Sequence, residues 1–228
     1  MDMVIFTSEF SRTGFTGVEY DKLNNQKQLV GKLKLEKPAE VLFEGADTNI
    51  FKETKEVSDD LKKQFSKIDE DFCFLFVGHW LQGNMGEDRK DIGMLLRVFY
   101  NLFKDKKDAP ALILKTSGAS FSVIDRNETM KKIDTIKKTI KAKKLPNVYL
   151  IHGDLSDEEM NQLYNHPKVK AFVSLTHGEG FGRPMLEASM VGLPVITSAW
   201  SGQMDFLSQE DSILLGGELV QVPKSQHW

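Results

Sequence analysis

The chain has 228 residues, 33 acidic and 30 basic side chains and a net charge of −3. Nothing in that global balance points to a nucleic acid or an acidic membrane surface as partner, and the single cysteine, Cys73, excludes an internal disulfide and fits a reducing compartment. No apolar run approaches the ~20 residues of a membrane helix. The start, Met1-Asp2-Met3-Val4-Ile5-Phe6, lacks the basic segment and cleavage site of a signal peptide, so a cytoplasmic location is expected.

Val4-Ile5-Phe6-Thr7 is expected as a short strand, and Ser8 to Gln28 as a polar stretch of helix and loops. Ala39 to Phe43 reads as a second strand, ending in the turn Glu44-Gly45-Ala46-Asp47. Lys52 to Glu70 is charge-rich without a continuous apolar face, as for a linker ending in a solvated helix around Asp59 to Ser66. From Asp71 the pattern becomes regular. Phe72 to Val77 is an apolar run suited to a strand buried on both faces. A glycine-rich loop, Gly78 to Asp88, leads to a helix with Ile92, Leu95, Leu96, Phe99, Leu102 and Phe103 at spacings of three and four.

Ala111 to Lys115 is the next strand, and Met130, Ile133, Ile136 and Ile140 mark a second amphipathic helix. Asn147 to Ile151 is a strand, and Ser156 with Glu159 makes a capping box. Val169 to Leu175, Pro194 to Thr197 and Ser212 to Leu215 complete the strands. Strand and helix thus alternate about five times between residues 71 and 215. The fold class expected is α/β, a doubly wound parallel sheet with ligands at the carboxyl ends of its strands.

The stretch from Ser174 to Glu187 carries the chemistry. An apolar strand runs into glycines and then a helix at Pro184, a residue suited to the first helical turn. Backbone N–H groups at such a helix start attract anions. Glu179 and Glu187, with seven residues between them, flank that turn. Carboxylates hold hydroxyls well and phosphates badly, so the pattern suits a ligand with a phosphate between hydroxyl-rich groups, as in a sugar nucleotide.

Other candidates have ordinary explanations beside them. Arg89 and Lys90 stand near a helix N-terminus, where the dipole disfavours cations; either a bound anion offsets this or they are a solvated basic pair. Lys115 reads as a ligand contact or, preferably, as a snorkelling lysine with a solvated head. His152-Gly153-Asp154-Leu155 either receives a flat base through its backbone or simply leads into the next helix. His177, Glu179 and Glu187 lack the spacing of a zinc site, and no G-x-S-x-G elbow points to a serine hydrolase.

Glu179-Gly180-Phe181-Gly182-Arg183-Pro184-Met185-Leu186-Glu187-Ala188, followed by Gly192-Leu193-Pro194-Val195-Ile196, resembles the donor-site motif of retaining GT-B glycosyltransferases of family 4, the glycosyl transferases group 1. Arg89-Lys90 resembles that family's basic pair, Phe43 to Phe51 its interdomain segment, and Thr7-Ser8-Glu9-Phe10 the last core strand and turn of its N-terminal domain. The resemblance implies a Rossmann-like GT-B C-terminal domain over 71–228, a linker over 46–70, and a remnant of the acceptor-binding domain over 1–45. The donor domain is then expected to be truncated at its C-terminus.

The implied roles follow residue by residue. Glu187 would hold the donor's ribose hydroxyls, and Glu179 the hydroxyls of its sugar. The backbone at Gly180, Phe181 and Gly182 would meet sugar and diphosphate, while Arg89 and Lys90 neutralise the leaving diphosphate. Gly153, Asp154 and Leu155 would line the base, with Gly78 and His79 at the diphosphate end. The partner implied is a UDP- or GDP-sugar, with no metal and no cofactor; the acceptor is unspecified, and no nucleic-acid partner is expected. His79 departs from the arginine common in the family. A sugar-nucleotide epimerase on the same fold, or a binding module inactive alone, is the alternative.

Overall fold

The computed structural model describes residues 2–81, 85–118 and 120–222. The first strand, β1 (Val4–Phe6), pairs in parallel with β4 (Ala39–Val41). Between them lie α1 (Glu9–Thr16) and an antiparallel hairpin of β2 (Glu19–Leu23) and β3 (Leu29–Lys34). Helix α1 falls within the expected polar stretch, where Ser8 caps it by accepting from the Ser11 N–H. The hairpin is not foreshadowed by the sequence. All of its residues except Gly31 are exposed, so no buried face imposes an alternation of apolar residues.

Helix α2 (Asp59–Phe65) occurs where a solvated helix is expected, but it is not solvated all round. Leu61 and Phe65 are buried, and Phe51 joins them in the core. The preceding residues are pinned by side-chain amides of the later helix α5 (Asp157–Tyr164) and its C-cap Asn165. Backbone N–H groups of Lys52, Thr54 and Ser58 donate to Asn161, Asn165 and Gln162. Such bonding leaves no apolar periodicity, which is why this stretch reads as a linker.

The main sheet has six parallel strands: β5 (Cys73–His79), β6 (Ala111–Ser117), β7 (Val148–Ile151), β8 (Val169–Ser174), β9 (Val195–Ser198) and β10 (Ser212–Leu215). Their spatial order is β10-β9-β8-β5-β6-β7. Side chains alternate between two apolar layers as a pleated strand requires. Leu75, Ile113 and Phe172 face one layer, while Phe76, Leu112, Leu114 and Val173 face the other. Helices α3 (Ile92–Phe103) and α4 (Val123–Thr139) cover the second layer, and α2, α5 and α6 (Arg183–Met190) the first. Each fully buried Leu, Ile or Phe contributes roughly 1.5–3 kcal/mol.

Helix α4 begins seven residues before the first of its predicted apolar positions, because Ser122 caps it by accepting from Asp125 N–H. The Ser156–Glu159 capping box forms as predicted. The strand order fixes where a ligand can bind. The chain runs outward from β5 to β6 and β7, then crosses back to β8 on the other side of β5. The connections leaving β5 and β8 therefore diverge, and a crevice opens at their carboxyl ends.

Candidate functional site

The loops leaving β5 and β8 meet at this crevice. Thr176 Oγ1 and the His177 N–H both donate to the Arg89 carbonyl, at 3.1 and 2.8 Å. This clamp brings the basic pair before α3 onto the Glu179 turn. Lys90 Nζ lies 2.7 Å from Glu179 Oε1, and Arg89 Nη1 lies 2.7 Å from Oε2. Arg89 also donates to the Gly178 carbonyl at 2.9 Å. The counter-anion of the two cations is thus Glu179, so no bound ligand is needed to explain their position.

Glu179 and Lys90 are buried, whereas the Arg89 side chain is half exposed. Burial disfavours the Glu179 anion, but Lys90 and Arg89 outweigh it and hold its carboxyl below the usual range. Burial also pulls the Lys90 ammonium down, with Glu179 acting against that pull. By formal charge the triad is +1, two cations against one carboxylate, so it can still attract a diphosphate. The turn is set from beneath by Ser201, whose Oγ accepts from the Glu179 N–H at 2.8 Å.

Glycines make close approaches possible here. A Cβ at Gly78 would stand 3.1 Å from the Phe76 ring and 3.2 Å from Lys90 Cε. A Cβ at Gly202, in the 3-10 turn Gly202–Asp205, would stand 2.3 Å from the Gly180 carbonyl oxygen. Gly202 went unnoticed in the sequence because its contact is across space.

Glu187 lies one helical turn into α6 and is buried. Arg183 Nε donates to its Oε1 at 2.6 Å, and Tyr164 Oη donates to Oε2 at 2.9 Å. Burial raises the Glu187 carboxyl above its ordinary range, although Tyr164 and Arg183 favour the anion. A carboxylate offers about four acceptor positions, so these bonds leave capacity for hydroxyls. The Arg183–Glu187 pair was not foreseen, although its i,i+4 spacing of helix neighbours is a signal that could have found it. Tyr164, from α5, left no such signal.

A cleft of about 250 Å³ is lined by Glu187 but not by Arg89, Lys90, Glu179 or Gly153. It brings together Gly78, His79, Asp154, Leu155 and Glu187 of the expected residues, and adds Arg183 and Phe121. His79 is exposed, and its Nδ1 lies 3.1 Å from Ser117 Oγ. Lys115 also lines the cleft, with its Nζ donating to the Gly153 carbonyl at 2.7 Å. Gly180, Phe181 and Gly182 stand beside the cleft rather than in its lining. Phe181 is buried against Phe43 and Phe206, and the Gly180 carbonyl accepts from Ser11 Oγ at 3.2 Å. The loop before α6 is therefore held partly by the N-terminal segment.

A larger cleft, about 760 Å³, lies at the opposite end of the sheet around Phe72, Phe103 and Pro146. Its lining includes Asp69, Glu70, Asp71, Lys107, Asp108 and Lys144 but none of the expected site residues, and ligands of doubly wound sheets bind at the carboxyl end, so the smaller cleft and the Glu179 triad are the candidate site. Among the described residues no group of three or more His, Cys, Asp and Glu is placed to hold a metal ion, and no helix is long and apolar enough to cross a membrane.

Comparisons with known proteins fit this architecture. The family model for glycosyl transferases group 1 matches residues 57–227. HepE from Anabaena, solved in complex with UDP-glucose, shares 17% identity with a TM-score of 0.61 over 94% of this chain and 50% of its own. Sucrose-phosphate synthase from Thermosynechococcus elongatus shares 17% identity and a TM-score of 0.59, over 94% of this chain and 45% of that one. The C-terminal domain of a group 1 family protein, LpcC, from Francisella tularensis shares 16% identity and a TM-score of 0.50, over 75% and 80%. These likenesses establish the fold. The chain spans about half the length of HepE and of the synthase. No curated protein matched in sequence.

Proposed function

The chain belongs to the glycosyl transferases group 1 family, and from that premise we propose that its crevice binds a nucleotide-sugar donor for transfer to an acceptor hydroxyl with retention of configuration. The observation that carries the proposal is the convergence of two carboxylates and two cations on one strand-end crevice. Glu179 lies 2.7 Å from both Arg89 and Lys90, and Glu187 lines the 250 Å³ cleft. Two acidic hydroxyl acceptors with a cationic centre match a sugar, a diphosphate and a ribose in sequence. HepE, solved with UDP-glucose, supports uridine diphosphate as the first carrier to try, with guanosine diphosphate as the second.

In this reading Glu187 holds the ribose and Glu179 the sugar, while Gly180, Phe181 and Gly182 offer backbone groups to the sugar and diphosphate. Gly153, Asp154 and Leu155 face the base, and His79 and Gly78 the phosphates. The acceptor oxygen bonds to the anomeric carbon as the bond from that carbon to the diphosphate oxygen breaks. The acceptor proton passes to the departing phosphate oxygen. Arg89 and Lys90 stabilise the charge that develops on the diphosphate, so the chain's own cations supply the electrophilic stabilisation without a metal. Losing one preorganised donor of this kind typically costs about 2.7–4 kcal/mol in the barrier.

We also propose the division into residues 1–45 from the acceptor side, a connecting segment 46–70, and a donor domain from residue 71. Transfer requires donor and acceptor held together. The span of about half of HepE favours a second reading for the isolated chain, in which it binds donor without transferring it. The test is thermal unfolding against a panel of nucleotides and nucleotide-sugars. A ligand that binds the folded state raises the midpoint in proportion to RT ln(1 + [L]/Kd). A rise with UDP- or GDP-sugars and none with free sugars supports the proposal; no rise with any nucleotide contradicts it. Transfer is then followed by NMR of the anomeric proton, where an inverted product refutes retention.

A further inference from the structure

One wall of the 250 Å³ cleft comes from the connection between β6 and α4. Phe121 lines it and remains 47% exposed. An exposed phenylalanine gains little from burial, yet this one is held from several sides. Lys115 Nζ sits over the ring, 5.5 Å from its centroid, while donating to the Gly153 carbonyl. The His152 ring meets it in a T-shaped contact at 6.1 Å. His152 is itself fixed, with a side chain only 4% exposed and Nε2 2.8 Å from Asp125 Oδ2.

The same Asp125 oxygen accepts from the Gly118 N–H at 2.9 Å. A Cβ at residue 118 would stand 2.5 Å from Asp125 Oδ1, so the approach needs glycine. Asp125, in the first turn of α4, therefore ties the end of β6 to the end of β7 and brackets Phe121 between them. Burial opposes its charge, but His152 and the Gly118 and Ser120 backbone groups hold its carboxyl below the usual range. Arg183 and Glu187, the proposed hydroxyl acceptor, line the same cleft.

We infer that Phe121 is the stacking face for the nucleobase and that the Asp125–His152 pair positions it. This rests on the nucleotide-sugar reading of the same cleft and adds a residue outside the recognised motif. A flat aromatic ring and a carboxylate in the lining of one cleft suit a nucleoside, the ring taking the base and the carboxylate the ribose hydroxyls. Stacking on an aromatic ring is tolerant of base identity. Phe121 accordingly sets how tightly a base is held, and the polar groups of Asp154 and Leu155 are left to select which base.

The test uses UDP and inorganic pyrophosphate as probes on the full chain. Phe121→Ala is expected to bind UDP at least about 5-fold more weakly, with pyrophosphate binding unchanged and Phe121→Tyr restoring UDP affinity. Phe121→Trp gives a direct signature: its added emission is quenched by UDP and not by pyrophosphate. Adding Asp125→Asn to that tryptophan variant reduces the quench while pyrophosphate affinity stays the same. Unchanged UDP affinity in Phe121→Ala, equal losses for both probes, or no quench overturns the stacking role. A full quench in the double variant overturns the positioning role. If the unaltered protein binds neither UDP nor GDP, the donor reading itself has failed, and this inference falls with it.

Discussion

Replacing Lys90 by methionine tests whether the basic pair and Glu179 form one buried unit. Lys90 is 9% exposed, and its ammonium is one of the two cations on a carboxylate that is 7% exposed. Removing one partner of a buried pair typically costs about 3–5 kcal/mol, because it strands the other charge. Arg89 stays 2.7 Å from Glu179 Oε2 but is half exposed, so the low end, about 3 kcal/mol, is expected at pH 7. With a urea slope near 3 kcal/mol/M, the unfolding midpoint falls by about 1 M.

The pH dependence has a definite sign. The Glu179 carboxyl is held below its ordinary range in the folded state. Its contribution is therefore present above the unfolded value of about 4.3 and is lost as pH falls through the folded value. The difference between wild type and Lys90→Met should shrink below about pH 4. Glu179→Gln should rescue Lys90→Met in part, giving a coupling of about 0.5–3 kcal/mol in a double-mutant cycle. A midpoint unchanged at pH 7, or strictly additive single costs, refutes the buried unit.

Two further outcomes are expected. Tyr164→Phe removes a donor to the buried Glu187 carboxylate and should lower stability by about 1.5–3 kcal/mol while weakening nucleotide binding; thermal unfolding and calorimetry report the two effects separately. Gly202→Ala drives a methyl group toward the Gly180 carbonyl and should cost about 1–3 kcal/mol while displacing the Glu179 turn, so UDP-sugar binding falls more than UDP binding.

How legible each part was depended on whether its cause was local. The central strands of the main sheet were readable because both faces are buried and their residues form unbroken apolar runs, such as Cys73 to Val77. The crevice was readable because Glu179, Glu187 and the intervening glycines lie on one continuous segment. The hairpin β2–β3 was hidden because an exposed ribbon imposes no pattern. Residues 52–58 looked like a free linker because amides of α5 and its C-cap hold their backbone. Tyr164, Ser201, Gly202 and Phe121 reach the site from separate elements, and only the fold brings them there.

The cationic reading of Arg89 and Lys90 needed the largest revision. The sequence placed them at a helix start and left two readings, an external anion offsetting the dipole or a solvated basic pair. In the fold, Glu179 supplies that charge from within. A donor diphosphate would then join an existing triad rather than neutralise two bare cations, and binding should weaken with added salt less steeply than for an exposed basic pair.

Calorimetric titration of the protein with a UDP-sugar, repeated for Lys90→Ala and Glu187→Ala, bears most directly on the donor site. Saturable one-site binding that UDP competes away is expected, with affinity reduced at least about 10-fold in each variant, the equivalent of one 1.4 kcal/mol contact. Binding that survives both substitutions unchanged, or a protein that takes up no nucleotide at all, would contradict a donor site at this crevice.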